Sequence, residues 1–201
     1  MVGFVEELQQ NVNAELKLPS GYYVVYGGEF ENQIRATNNL LTVIPLVLFL
    51  IVIILFSTFN SLAKAGLILA NIPFALMGGI LGLFVSGQYV SVPASIGFIA
   101  LLGVAVLNGV VMLSHIESVK YKTKDLFKLV SNAAGDRLRP ILMTATTAMF
   151  GLMPLVVATG PGAEIQKPLA IVVIGGLFTS TIATLYLLPI FYYKLEKKNH
   201  V

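Results

Sequence analysis

The sequence has no cysteine, which excludes a disulfide framework, a CxxC redox pair and a thiolate cage for zinc or an iron–sulfur cluster. Charge is also scarce. Asp, Glu, Lys and Arg make up 11% of the 201 residues, where a soluble domain carries about 25%, so an ordinary water-soluble globule is excluded. No Ser-His-Asp arrangement, HExxH pair, Walker loop or GxGxxG after a strand occurs, leaving proteolysis and ATP-driven pumping without support. Without an activated nucleophile or metal-ligand cluster, an enzyme is the least favoured class, and no cofactor is implied. What is abundant is apolar: 56% of residues are hydrophobic, and many of the 18 glycines and 9 prolines fall inside those stretches, as transmembrane helices tolerate. The net charge of +3 comes from basic residues set between apolar runs, which points to membrane orientation and not to nucleic acid.

No charged residue occurs between Arg35 and Lys64, and Leu40 to Phe56 is almost wholly apolar, enough for one membrane span. Between Lys64 and Glu117 lie 52 residues without formal charge. As one helix they would run about 80 Å, against a hydrocarbon core of about 30 Å. Two spans share that run, divided at Ser86 to Ser91. The expectation is an all-α polytopic membrane protein with five spans, at about 38–58, 62–85, 92–115, 140–158 and 168–192. Pro140 and Pro168 are expected in first helical turns, where a missing N–H costs nothing.

Lys and Arg are distributed unequally between the two sets of flanks. Lys64, Lys120, Lys122, Lys124, Lys128, Arg137, Arg139, Lys194, Lys197 and Lys198 lie on one side, and Lys17, Arg35 and Lys167 on the other. By the positive-inside rule the carboxyl terminus is cytoplasmic and the amino terminus external. Residues 1–18 lack the uninterrupted apolar core of a signal peptide. Residues 1–34 read as a short amphipathic helix, a turn at Pro19-Ser20-Gly21 and a strand at Tyr22 to Tyr26, together the α/β end of a larger domain. In the loop 117–139, Leu126, Val130, Ala134 and Leu138 recur every four residues, which suits either a basic amphipathic helix on the cytoplasmic membrane surface or a solvated connector. Residues 194–201 form a cytoplasmic tail.

Gly78 and Gly82 form a GxxxG pair, Ala105 and Gly109 a second small pair, and Gly175-Gly176 a third site of close helix approach. Pro45, Pro73 and Pro154 mark kinks within spans. The intramembrane polar groups are Asn108, Thr144, Thr146-Thr147 and Thr179-Ser180-Thr181. Threonines there commonly bond their own backbone, whereas an asparagine needs a partner. No Asp, Glu, Lys or Arg lies deep in a span, so the central element of a proton relay is missing from these residues. His115 and Glu117, at a membrane edge, suit snorkelling or packing better than metal ligation. Met77, Met112, Met143, Met149 and Met153 suit core filling better than Cu(I) binding. Gly160-Pro161-Gly162-Ala163-Glu164 reads as an external turn.

Several motifs stand in an order that resembles one known family. They are Leu18-Pro19-Ser20-Gly21-Tyr22, Gly27-Gly28-Glu29-Phe30-Glu31-Asn32-Gln33, Asn71-Ile72-Pro73, Gly97-Phe98-Ile99-Ala100-Leu101, Gly103 to Val111, Arg137 to Thr144, and Gly162 to Ala170. Over its whole length the chain resembles the carboxyl-terminal part of a resistance-nodulation-division (RND) efflux pump of the heavy-metal cation branch. The resemblance implies that the five spans are the last five of twelve, in the second-half helix bundle. It implies a homotrimer in the bacterial inner membrane, exchanging protons for substrate with a periplasmic adaptor and an outer-membrane channel, and depending on the rest of the pump. Asn108 and Thr144 match family positions near the proton relay. The relay acids belong to the family's fourth helix, so a lone chain of these residues would not complete a transport cycle. Leu107 stands where drug-exporting relatives place a relay lysine before the asparagine, and where the monovalent-metal branch tends to place an acid. Ile141 stands where that monovalent branch has a lysine. The resemblance therefore favours export of divalent zinc, cobalt, cadmium or nickel, through metal ligands that these positions do not identify. The alternatives are a drug- or hydrophobe-exporting pump and a truncated product without transport.

Overall fold

A computed structural model describes residues 11–12, 29–122 and 125–199. The segments read as an α/β remnant, Met1 to Leu18, the Pro19 turn and the Tyr22 to Tyr26 strand, lie almost wholly outside the described residues. Among the described residues there is no strand, and the architecture is all-α. The helices are α1 (Glu29–Phe59), α2 (Leu62–Leu69), α3 (Ile72–Ser86), α4 (Val92–Val119), α5 (Leu126–Val157) and α6 (Ala163–Asn199), with a 3₁₀ turn at Lys120–Lys122. Five stretches are long and apolar enough to cross a membrane: Leu41–Phe59, Leu62–Ser86, Val92–Val119, Leu126–Val157 and Ala163–Lys197. The chain divides into two compact units, Met1–Leu46 and Val47–Val201; within the first, α1 runs from Glu29.

Helix boundaries follow local chemistry. The Ser61 and Ser91 hydroxyls accept from the Lys64 and Ala94 amides, and the Asp125 carboxylate accepts from Phe127 and Lys128, so each satisfies first-turn donors. Helix α3 stops at Gly87, which takes the left-handed conformation at φ 66°. The turn before α6 uses Gly160 and Gly162 at φ 124° and 89°.

Two expected starts are corrected. Pro140 and Pro168 lie inside α5 and α6, not in first turns. The Asp125 cap supplies a stronger start for α5, and the continuous helix tolerates the one donor that Pro140 withholds. Most of the stretch expected as an amphipathic loop, residues 126–139, is thus the opening part of a 32-residue helix. Its buried positions are Leu129, Val130 and Ala133, which join Ile116, Leu188 and Tyr192 in one core. Of the expected stripe, Val130 is buried, Leu126 and Ala134 are partly buried against the same core, and Leu138 is exposed. The expected 62–85 helix is also interrupted, at Ala70 and Asn71, between α2 and α3.

Within Val47–Val201, α6 is the central element: 61% of its apolar window is buried, against 11% for α5. One core surrounds Met112, Leu113, Ile116, Leu188 and Tyr192; another surrounds Ala75, Leu101, Ala105, Val172 and Leu177. A seam of small residues brings α3 against α6. A Cβ on Gly175 would lie 2.5 Å from the Gly78 carbonyl oxygen, and one on Gly78 would overlap the Gly175 carbonyl and the Thr179 hydroxyl. A Cβ on Gly82 would lie 3.0 Å from the Ile171 carbonyl, and one on Gly176 2.9 Å from that of Ala75. Gly109 meets Ile68 instead, where an added Cβ would stand 2.9 Å from a side-chain methyl, and Ala105 is fully buried.

Gly78→Val should therefore force the two backbones apart and lower unfolding stability by at least about 2 kcal/mol, whereas Gly66→Ala, where an added Cβ meets nothing within 4 Å, should be neutral or stabilising by up to about 1 kcal/mol. Thermal unfolding of the two variants in the full native polypeptide in detergent measures the contrast.

Candidate functional site

Polar groups in this bundle form three sets. The first contains the positions singled out from the sequence. Asn108, on α4, is 8% exposed, and its amide has no hydrogen-bond partner among the described residues. Thr144, on α5, is exposed and donates its hydroxyl to the Ile141 carbonyl at 3.0 Å. Thr146 likewise donates to Leu142 and Met143 carbonyls at 2.7 and 3.1 Å. These hydroxyls are committed to their own helix, and no hydrogen bond joins Asn108 to Thr144. Leu107 and Met143, beside them in sequence, are both 58% exposed, so an outward apolar surface adjoins both positions.

The second set lies where α2 breaks into α3. Asn71 donates its side-chain amide to the Thr184 hydroxyl at 2.6 Å, both residues being buried. Ser180 and Thr181, a turn earlier on α6, are buried as well. Thr179 donates across the helix pair to the Phe74 carbonyl at 2.8 Å, just where the glycine seam brings α3 close. In the sequence Asn71 carries no signal beyond the Asn-Ile-Pro motif. Its proximity to Thr184 depends on the α3–α6 register.

The third set is ionic. Lys64 pairs with Glu117 at 2.8 Å, and the Tyr192 hydroxyl donates to the same Glu117 carboxylate at 2.6 Å. Lys120 pairs with Glu196, and His115 faces Asp136 at 3.5 Å. These contacts tie α2, α4, α5 and α6 together at one end. His115 and Glu117 are therefore charge partners as well as membrane-edge residues. A signal was present in the sequence: Lys64 and Glu117 bound one uncharged run that folds back on itself, so its ends meet. The hydrogen bond from Lys120 to Glu196 raises the lysine pKa above its ordinary value. That contribution to stability is complete below the ordinary lysine pKa and is lost only as pH rises through the raised value, so neutral pH leaves it intact.

The methionines are dispersed. Met112 is in one core, Met149 packs on the other, and Met77, Met143 and Met153 are exposed. Among the described residues no group of three His, Cys, Asp or Glu could hold a metal ion. Such a bundle can admit a polar contact at Asn108, but among the described residues these groups do not make a metal-binding centre.

Residues 1–196 match the model of the AcrB/AcrD/AcrF family. The chain belongs to that family. It is 46% identical over 196 residues to the cobalt-zinc-cadmium resistance protein CzcA of Cupriavidus metallidurans, covering 98% of this chain and 18% of that protein. The nickel and cobalt resistance protein CnrA of the same organism is 44% identical over 186 residues, covering 92% and 17%. A crystal structure of a heavy metal efflux pump superposes with a TM-score of 0.79 at 41% identity, covering 98% of this chain and 20% of that one. The chain thus spans about a fifth of the length of these relatives. The RND resemblance carried by the ordered motifs is upheld.

Replacing Glu117 with Gln should weaken the contacts that join α2, α4 and α6, at a cost of about 1–2 kcal/mol, because Lys64 keeps a part-buried charge without its counter-ion. Denaturation of Glu117→Gln in the full native polypeptide, compared with wild type and with exposed Glu164→Gln, measures it.

Proposed function

We propose that these residues are the second-half membrane bundle of a proton-coupled transporter exporting divalent heavy-metal cations of the zinc, cobalt, cadmium and nickel class. The observation that carries this reading is the 44–46% identity to relatives named for cobalt, zinc, cadmium and nickel resistance, against 35% to the cation efflux system protein CusA of Escherichia coli. In this reading the protein lies in the bacterial inner membrane, with the amino-terminal end of the bundle periplasmic and the ten-cation side cytoplasmic. It acts as a homotrimer with a periplasmic adaptor and an outer-membrane channel.

The side-chain inventory supports a division of labour. Lys64, Glu117, Lys120 and Glu196 gather at one end, and the middle of the bundle offers buried amides and hydroxyls without carboxylates. Protons and metal ions need ionisable or ligating groups to travel between, so those groups come from the remainder of the pump. Asn108 and Thr144 are then positioning groups beside the relay. The unpartnered Asn108 amide is available to a group arriving from outside the described bundle.

Deleting the gene should lower tolerance of zinc, cobalt, cadmium or nickel while leaving sensitivity to organic dyes unchanged. Loss of dye tolerance alone would favour a hydrophobe exporter, and no change in either would favour a product without transport. Asn108→Leu in the full pump should reduce proton-coupled metal efflux by about two- to thirtyfold, the range that 0.5–2 kcal/mol of coupling spans, with trimer assembly intact. Unchanged flux removes Asn108 from the relay.

A further inference from the structure

The basic end of the bundle carries cations that its own acids do not neutralise. Lys128 on α5 and Lys194 and Lys197 on α6 are exposed, and none of the three pairs with a carboxylate among the described residues. The acids of these segments are committed elsewhere. Glu196 is buried against Lys120, Asp136 faces His115, and the Asp125 carboxylate accepts from the first-turn amides of α5. Among the unpaired lysines lies an aromatic pair. The Phe127 and Tyr193 rings meet edge to face with centroids 6.0 Å apart, and Lys197 Nζ stands 6.0 Å from the Tyr193 ring centroid. Lys128 adjoins Phe127 in sequence, and Lys194 adjoins Tyr193. Phe127 is nevertheless 66% exposed, a large apolar surface that no described residue covers.

We propose that Lys128, Lys194 and Lys197, set about the Phe127–Tyr193 pair, bind the phosphate headgroup of an anionic phospholipid. The depth fits a headgroup. Helix α5 has 32 residues and is about 48 Å long, slightly more than the roughly 40–45 Å that a bilayer spans with its headgroups. Its first turn, which holds Phe127 and Lys128, therefore stands at the headgroup layer, and the ring contact brings the Tyr193 end of α6 to the same level. An aromatic ring at that level rests on the glycerol and upper acyl region, while lysine stems let their ammonium groups rise to the phosphate. Charge selects the class of lipid. A zwitterionic headgroup brings its own cation and leaves the lysines unbalanced, whereas an anionic one supplies the charge that the committed acids do not. The inference rests on α5 and α6 being membrane spans, and depends neither on which metal is exported nor on which face of the membrane this end lies.

Photocrosslinking in the full native polypeptide tests the site. With p-benzoylphenylalanine in place of Phe127, the protein is reconstituted in vesicles of phosphatidylethanolamine with phosphatidylglycerol as the minor component, and mass spectrometry identifies the attached lipid. Phosphatidylglycerol is expected at about five times its share of the bilayer, the factor that one lysine near an anionic surface supplies. Lys128→Gln, Lys194→Gln and Lys197→Gln made together should return it to its bilayer share, while the three corresponding changes to Arg should keep the enrichment. With the lysines intact, phosphatidylglycerol at its bilayer share, or a crosslink to protein or to no lipid, overturns the proposal. Enrichment that survives the three glutamines overturns the role of these lysines. The readout involves no transport, so its failure leaves the export reading untouched.

Discussion

Inside a bilayer the hydrophobic effect does not hold one helix to another, since lipid tails are as apolar as leucine, so the bundle depends on how closely helix backbones approach. The closest approach is the α3–α6 seam, where Gly78 and Gly175 leave room for carbonyl oxygens that any Cβ would displace. Thr179 uses that closeness to reach the Phe74 carbonyl at 2.8 Å, and Asn71 reaches Thr184 through the same register. Burial of α6 follows from it, and with it the two cores that α6 shares with α4 and α5. A change of one methyl group on this seam would alter hydrogen bonds several residues away.

Charge obeys the opposite rule. The apolar middle of the bundle excludes it, and Lys64, Glu117, Lys120 and Glu196 meet at one end, where the first three stay partly exposed, Glu196 is buried, and each finds a counter-ion. That end fixes α2, α4 and α6 relative to one another, while the seam fixes α3 on α6. Between these two anchorages lies the break at Ala70 and Asn71, the point in the pair α2–α3 where the backbone ladder is incomplete.

How much of this was legible depends on the scale of the signal. The five spans followed from charge spacing, because a bilayer tolerates no alternative to an apolar run of sufficient length. Gly78, Gly82, Gly175 and Gly176 were visible as small-residue patterns, but which of them face one another was not, since pairing is a property of helix register. Pro140 and Pro168 misled because proline at a first turn is the cheaper arrangement, whereas here the Asp125 cap and packing of Leu129, Val130 and Ala133 extend α5 past Pro140. Asn71 was hidden by the run's uniform apolarity, which conceals where a helix breaks. Asn108 and Thr144 were singled out, but the described residues do not join them by a hydrogen bond.

A bundle with buried amides and no central carboxylate cannot by itself move protons against metal ions, and the proposed coupling requires acids from the rest of the pump. The most direct measurement is zinc flux in proteoliposomes containing the full native polypeptide, with a proton gradient imposed and then dissipated. Zinc transport that rises with the gradient and collapses when an ionophore removes it is the expected result. Zinc transport indifferent to the gradient, or none under any gradient, would contradict proton-coupled divalent-metal export.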